Sequence, residues 1–122
     1  MTTAKPFFMF QEGRAQAALD LYFATFPDSR MLRVEHWNQG EAGPVGTIKA
    51  AVFTICGSEF MCSDSPIKHD FGFTPSISTF VDFESIAELD RVFGILSEGG
   101  EVLMPLDNYG FSQRFGWVND RF

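Results

Sequence analysis

The sequence predicts an α+β fold built from a repeated β-α-β-β-β module, and three observations carry that prediction. Segments of alternating and helical hydrophobic period follow one another in the order strand, helix, three strands, then strand, helix, two strands. The first helix contains Leu19-Asp20-Leu21-Tyr22-Phe23 and the second Leu89-Asp90-Arg91-Val92-Phe93, a faint echo seventy residues on. The second unit lacks its last strand, which is missing or lies beyond Phe122.

Phe7-Phe8-Met9-Phe10 is a short apolar run, read as a strand covered on both faces. A helix follows from about Gly13 to Phe26, with Ala15, Ala18, Leu19, Tyr22 and Phe26 on one face, and Pro27 ends it. Met31 to Trp37 alternates as a second strand. Thr47 to Ile55 and Glu59 to Ser63 form a hairpin, with Gly57-Ser58 as its loop. Asp64 to Pro75 is an irregular connector of the length expected of a lid or binding loop. Ser76 to Asp82 reads as a strand. Ser85-Ile86-Ala87-Glu88 has capping-box spacing and opens a second helix, which Gly99-Gly100 stops. Glu101 to Met104 and Gly110 to Val118 supply two more strands. The whole is read as a single domain, 1–122, with module one at about 5–65, a connector at about 64–75 and module two at about 76–122.

Composition narrows the function classes. Hydrophobic residues make up 45% of the 122 and charged residues 20%, values of a folded domain. Nine Lys and Arg against sixteen Asp and Glu give a net charge of −7, which on average repels nucleic acid. The longest apolar runs, Phe7–Phe10 and Ala50–Phe53, fall far short of the roughly 20 residues of a membrane span. With no secretory h-region after Met1, a cytoplasmic location is expected. Cys56 and Cys62 lie roughly 10 Å apart in the expected hairpin register, beyond disulfide reach, so both are read as thiols.

Residues along the chain resemble one family. Phe8-Met9-Phe10, Gly13-Arg14-Ala15, Ala18-Leu19-Asp20-Leu21-Tyr22 and Phe26-Pro27-Asp28-Ser29 are similar to the opening of PhnB-like proteins. Further agreement comes from Phe60-Met61, Phe80-Val81, Leu96-Ser97-Glu98-Gly99-Gly100 and the closing Gly116-Trp117-Val118-Asn119-Asp120-Arg121-Phe122. That family belongs with glyoxalase I, bleomycin-resistance proteins and extradiol dioxygenases in the vicinal oxygen chelate superfamily, and is often described as 3-demethylubiquinone-9 3-methyltransferase. The resemblance implies curved mixed sheets around a concave pocket and a homodimer. In metal-using members, His and Glu on the strands hold a divalent cation that polarises an oxygenated substrate. By the same resemblance Phe7 stands at the first-strand ligand position and Ser76 where the second module's His is expected. The fourth-strand ligand falls around Phe60 to Cys62. Neither Phe7 nor Ser76 suits a metal, so no cofactor is expected and a divalent metal is the minor alternative. The methyltransferase description fits least, because no G-x-G follows the first strand.

A small, partly apolar ligand is therefore expected, bound by Phe7, Trp37, Phe60, Cys62, Ser76, Phe80, Arg114 and Trp117, with Phe60 and Phe80 on the same side as Phe7. A metal-dependent glyoxalase- or dioxygenase-like enzyme is the alternative. His36, His69 and Asp64 are the weak metal candidates, Cys62 a candidate nucleophile, and Glu59 with Asp64 a candidate acid/base pair. No residue receives a catalytic assignment from the sequence. A single-residue slip in strand register would exchange the pocket and core sets.

Overall fold

The computed structural model describes residues 1–122, which divide into two units, Met1–Gly72 and Phe73–Phe122. The first unit runs β1 (Phe7–Phe10), α1 (Ala15–Thr25), β2 (Arg30–His36), β3 (Ile48–Ile55) and β4 (Ser58–Asp64). Its four strands form one mixed sheet in the order β1-β4-β3-β2. β1 is parallel to β4, with Phe7 opposite Met61 and Phe8 opposite Cys62, while β3 is antiparallel to both of its neighbours. The second unit contains α2 (Ile86–Ser97), β5 (Glu101–Asp107) and β6 (Phe115–Asn119), the two strands forming an antiparallel pair. The chain is thus α+β, as expected.

One face of the first sheet is dry because α1 lies on it. Ala15, Ala18, Leu19 and Tyr22 are buried on the helix, and Phe53, Phe60, Cys62 and Phe10 are buried on the strands. Rings knit this layer: Phe53 stacks on Phe60 with centroids 5.7 Å apart, and Phe23 of α1 meets Phe53 edge-on at 6.2 Å. The hydrophobic area removed from water there is the main stabilising term of the unit.

The start of α1 has no local cap. The side chain of Arg14, at the N-cap position, makes no capping hydrogen bond. Instead Asp64, 1% exposed, accepts the Ala15 N–H at 2.9 Å with Oδ1 and the Ile48 N–H at 2.8 Å with Oδ2. Trp37 Nε1 donates to the Asp64 carbonyl at 3.1 Å. A carboxylate at a helix N-terminus is favoured by the unpaired N–H groups there and by the helix dipole. The Asp64 side chain therefore ties the start of α1 to β3, and its main-chain carbonyl holds Trp37 beyond the end of β2.

Two expectations change. The hairpin loop is Cys56-Gly57 rather than Gly57-Ser58, since Ile55 pairs with Ser58. Both loop residues have positive φ, 52° and 81°, the primed-turn geometry that matches strand twist, and Gly at the second position accepts it without strain. Cys62 therefore faces Ala51, and both cysteines are free thiols. The second change concerns Ser76 to Asp82, which forms no strand. In the first unit, β1 takes its backbone partners from β4 alone, and the second unit contains no strand equivalent to β4. A segment without a partner strand has no ladder to join.

The second helix matches its sequence signal. Ser85 Oγ accepts the Glu88 N–H at 3.1 Å, and Gly99 turns the chain with φ 72° after the helix. β5 runs on to Asp107 and β6 starts only at Phe115, with Asn108–Arg114 as an intervening loop.

Candidate functional site

Strand pleat and register divide the first sheet into two sets of side chains. The set beneath α1 includes Phe8, Phe10, Ala51, Phe53, Phe60 and Cys62. The opposite set includes Phe7 and Met9 on β1, Met61 and Ser63 on β4, Val52 on β3 and Arg33 and Glu35 on β2, because Phe7 pairs with Met61, Met61 with Val52, and Val52 with Arg33. No helix of the first unit covers this open face. Phe7 is 54% exposed on it, and Met9, Met61 and Ser63 are half-buried. Its middle is apolar and its β2 margin carries charge, the composition of a site that holds an apolar body and orients a polar group.

The structure sorts the sequence candidates accordingly. Phe60 and Cys62 lie under α1, on the side opposite Phe7, and this corrects the expectation that Phe60 shares Phe7's side. Burial, with the nearby Asp64 charge adding to it, pushes the Cys62 thiol up to about 12, so it is no nucleophile at neutral pH. Glu59 and Asp64 point to opposite faces and do not converge as an acid/base pair. Glu59 faces Lys5 at 3.8 Å, and Asp64 is taken up by backbone donors. Trp37 is a packing residue: its ring lies so close to Gly43 that any Cβ there would stand 2.3 Å from it, and the Lys49 ammonium sits 5.5 Å from its centre.

His36 is exposed at the end of β2. His69, in the connector, has Nε2 3.0 Å from Ser65 Oγ, lies tilted against Phe71 with ring centroids 4.8 Å apart and donates its backbone N–H to Gln11 Oε1 at 2.7 Å. No three His, Cys, Asp or Glu side chains come together in an arrangement able to hold a metal ion, so His36, His69 and Asp64 do not form one site.

In the second unit, Phe80 is 70% exposed and stacks on Phe115 at 6.1 Å, and Trp117 Nε1 donates to Ser78 Oγ at 3.1 Å. Phe115 and Trp117 share the face of β6 turned from α2, since Gly116 between them abuts Phe93 of the helix. Arg114 does not join them; its Nε donates to Asp90 Oδ1 on α2 at 2.7 Å. Ser76 is exposed, its hydroxyl 2.6 Å from that of Thr74. Phe80 and Trp117 are thus brought to one aromatic surface, together with Phe115, Phe111 and Tyr109, whose rings follow at 4.8 to 6.5 Å.

Sequence reasoning missed Met9, Ser63, Arg33 and Phe115. The signal was available for the first two: once Phe7 is placed on the open face, parity puts Met9 there, and the parallel partner strand follows.

A family model described as 3-demethylubiquinone-9 3-methyltransferase matches residues 2–122. Among solved structures, a putative 3-demethylubiquinone-9 3-methyltransferase, PhnB protein, from Bacillus cereus is 40% identical with TM-score 0.94, over 99% of this chain and 93% of its own. A protein from Pseudomonas aeruginosa, PA1353, is 25% identical with TM-score 0.82, over 100% of this chain and 92% of its own. A search of curated proteins gave no significant match.

Proposed function

The chain belongs to the PhnB-like family, described as 3-demethylubiquinone-9 3-methyltransferase, and from that premise we propose that it binds a small, partly apolar molecule on the open face of the first sheet without a metal ion. The observation that carries this reading is the half-exposed Phe7 beside Met61 on a face left uncovered within its unit, with Arg33 and Glu35 at the margin. Residue chemistry supports the metal-free form, since Phe7 offers no donor atom and the Ser76 hydroxyl is a poor ligand when neutral.

Methyl transfer is the weaker reading. A Rossmann-type cofactor site uses a Gly-rich first turn and the free N–H groups of the helix that follows. Here the turn is Gln11-Glu12-Gly13-Arg14, and Asp64 already accepts the Ala15 N–H.

The protein is further proposed to be a cytoplasmic homodimer, which light scattering tests against the 13.7 kDa chain mass. No helix is long and apolar enough to cross a membrane. The binding reading is tested by titrating protein purified without chelator with anilinonaphthalene sulfonate, an aromatic anion, alongside elemental analysis. Saturable binding that survives EDTA and is lost in Met61→Glu and Phe7→Glu supports it. Near-stoichiometric Ni, Zn, Mn or Fe, with binding abolished by EDTA, overturns it in favour of a metal-dependent enzyme.

A further inference from the structure

An irregularity in β2 decides where its positive charges point. Arg30 pairs with Thr54 and Met31 with Phe53, but it is Arg33, not Leu32, that pairs with Val52, so β2 carries one extra residue against β3. This is a β-bulge, a device that re-aims side chains. In a regular strand Arg30 and Arg33, three residues apart, would point to opposite faces. The β3–β4 ladder is unbroken from Ala51 to Ile55, so Thr54 lies on the same open face as Val52, and their partners Arg30 and Arg33 both lie there too. Burial agrees: Met31 and Leu32 are both half-buried, whereas the arginines on either side of them are exposed. The chain is pinned ahead of the bulge, where the Arg30 N–H donates to Thr54 Oγ1 at 3.2 Å and that hydroxyl donates to the Asp28 carbonyl at 3.3 Å.

Neither guanidinium has an ion-pair partner in the structure. The neighbouring carboxylates are directed elsewhere. Asp28, two residues before Arg30, is turned to the hairpin loop, where a Cβ on Gly57 would stand 2.9 Å from its Oδ2. Glu59, on the same face, meets Lys5 at 3.8 Å. Glu35, one step beyond Arg33, makes no ion pair; its charge acts on Lys49, whose ammonium is held above its ordinary pKa by Glu41 first and by Glu35 in smaller measure. The bulge thus interrupts the ladder and gathers two like charges on one face, an arrangement that an oxyanion between them would stabilise.

We propose that Arg30 and Arg33 form the anion-binding end of the open face, and that its ligand is an apolar body ending in an oxyanion, a carboxylate or a phosphate. The row Phe7–Met61–Val52–Arg33 crosses three strand spacings, about 14 Å from backbone to backbone. A body of one or two rings laid against Phe7 and Met61 therefore has its charged end toward β2, where two planar guanidinium forks offer paired N–H donors to its oxygens. The apolar strip supplies affinity and the arginines select the charge. This inference rests on the reading of the open face as a ligand site and adds to it the charge of the ligand and the residues that recognise it.

The test uses two probes of one skeleton on the whole chain: anilinonaphthalene sulfonate, whose sulfonate stands in for the oxyanion, and uncharged N-phenylnaphthylamine. Arg30→Gln and Arg33→Gln should each weaken the sulfonate about threefold to fivefold, and the double variant on the order of tenfold, while the uncharged probe stays within about twofold. Lys68→Gln removes the same charge from the exposed connector and should alter neither affinity. Equal weakening of both probes by the arginine substitutions, unchanged sulfonate binding in the double variant, or the same loss in Lys68→Gln overturns the proposal. The underlying reading is judged separately by the uncharged probe, which Phe7→Glu and Met61→Glu should abolish. If wild-type protein binds neither probe, both the reading and the proposal fall.

Discussion

Replacing Asp64 tests the principal tie in the first unit. Its two oxygens each accept one buried backbone N–H, from Ala15 and from Ile48, and no cation pairs with it in the structure. In Asp64→Ala both N–H groups lose their acceptor inside the protein, and an unsatisfied buried donor costs about 1–3 kcal/mol, so the expected loss is roughly 4 kcal/mol. Asp64→Asn preserves shape and one acceptor but turns an NH₂ toward the other donor, for about 2 kcal/mol. For a chain of this size these losses lower Tm by roughly 15 °C and 8 °C. Urea unfolding followed by circular dichroism and by Trp37 fluorescence measures both, since the indole bonds to the Asp64 carbonyl. Asp70→Asn, which removes an exposed acid of the same type, should change stability by no more than about 0.5 kcal/mol. If Asp64→Asn and Asp64→Ala both fall within that same range, the carboxylate is not what holds the helix start to β3.

Three further outcomes follow from the geometry. The Cys62 thiol, raised from its ordinary 9.0 to about 12, keeps its proton in the folded chain where the unfolded chain loses it. Stability should therefore be intact below pH 9 and fall by about 1.4 kcal/mol per pH unit from there toward pH 12, and Cys62→Ala should remove that alkaline limb in denaturant titrations. Gly43→Ala pushes a methyl group into the Trp37 ring and should cost about 1–3 kcal/mol, read as a lower urea midpoint. Cys56→Asn places a residue tolerant of positive φ in the Cys56-Gly57 turn and should raise Tm by a few degrees; a lower Tm would refute the strain assigned to that position.

Elements whose signals are local were legible in the sequence. The Ser85 cap of α2 and the stop at Gly99 were readable because capping box and left-handed glycine act within a few residues. The cap of α1 was not, since its acceptor lies at Asp64, forty-nine residues on. The hairpin loop was misplaced by one residue because Gly57 fits either position of a two-residue turn, and only the cross-strand pairs decide between them. That shift moved the Cys62 partner by two residues and so kept it on the correct face. The Phe7–Phe60 grouping failed for a different reason: it depends on the parallel register of β1 with β4, and Phe7 lies opposite Met61. Residues 76–82 have the composition of a strand, but a strand exists only with a neighbour. Fold class and family were thus readable from local patterns, whereas the site depended on pairings between distant segments.

The order β1-β4-β3-β2 also constrains how the molecule is made. β2, β3 and β4 are consecutive and can pair by short-range closure as they leave the ribosome. β1 is synthesised first but has no partner until residues 61–64 emerge, because its only ladder is to β4. During that interval Phe7-Phe8-Met9-Phe10 is a nascent apolar segment with unpaired edges, the kind of segment that holding chaperones bind. The first strand of this sheet in chain order is thus the last piece of it to be laid down.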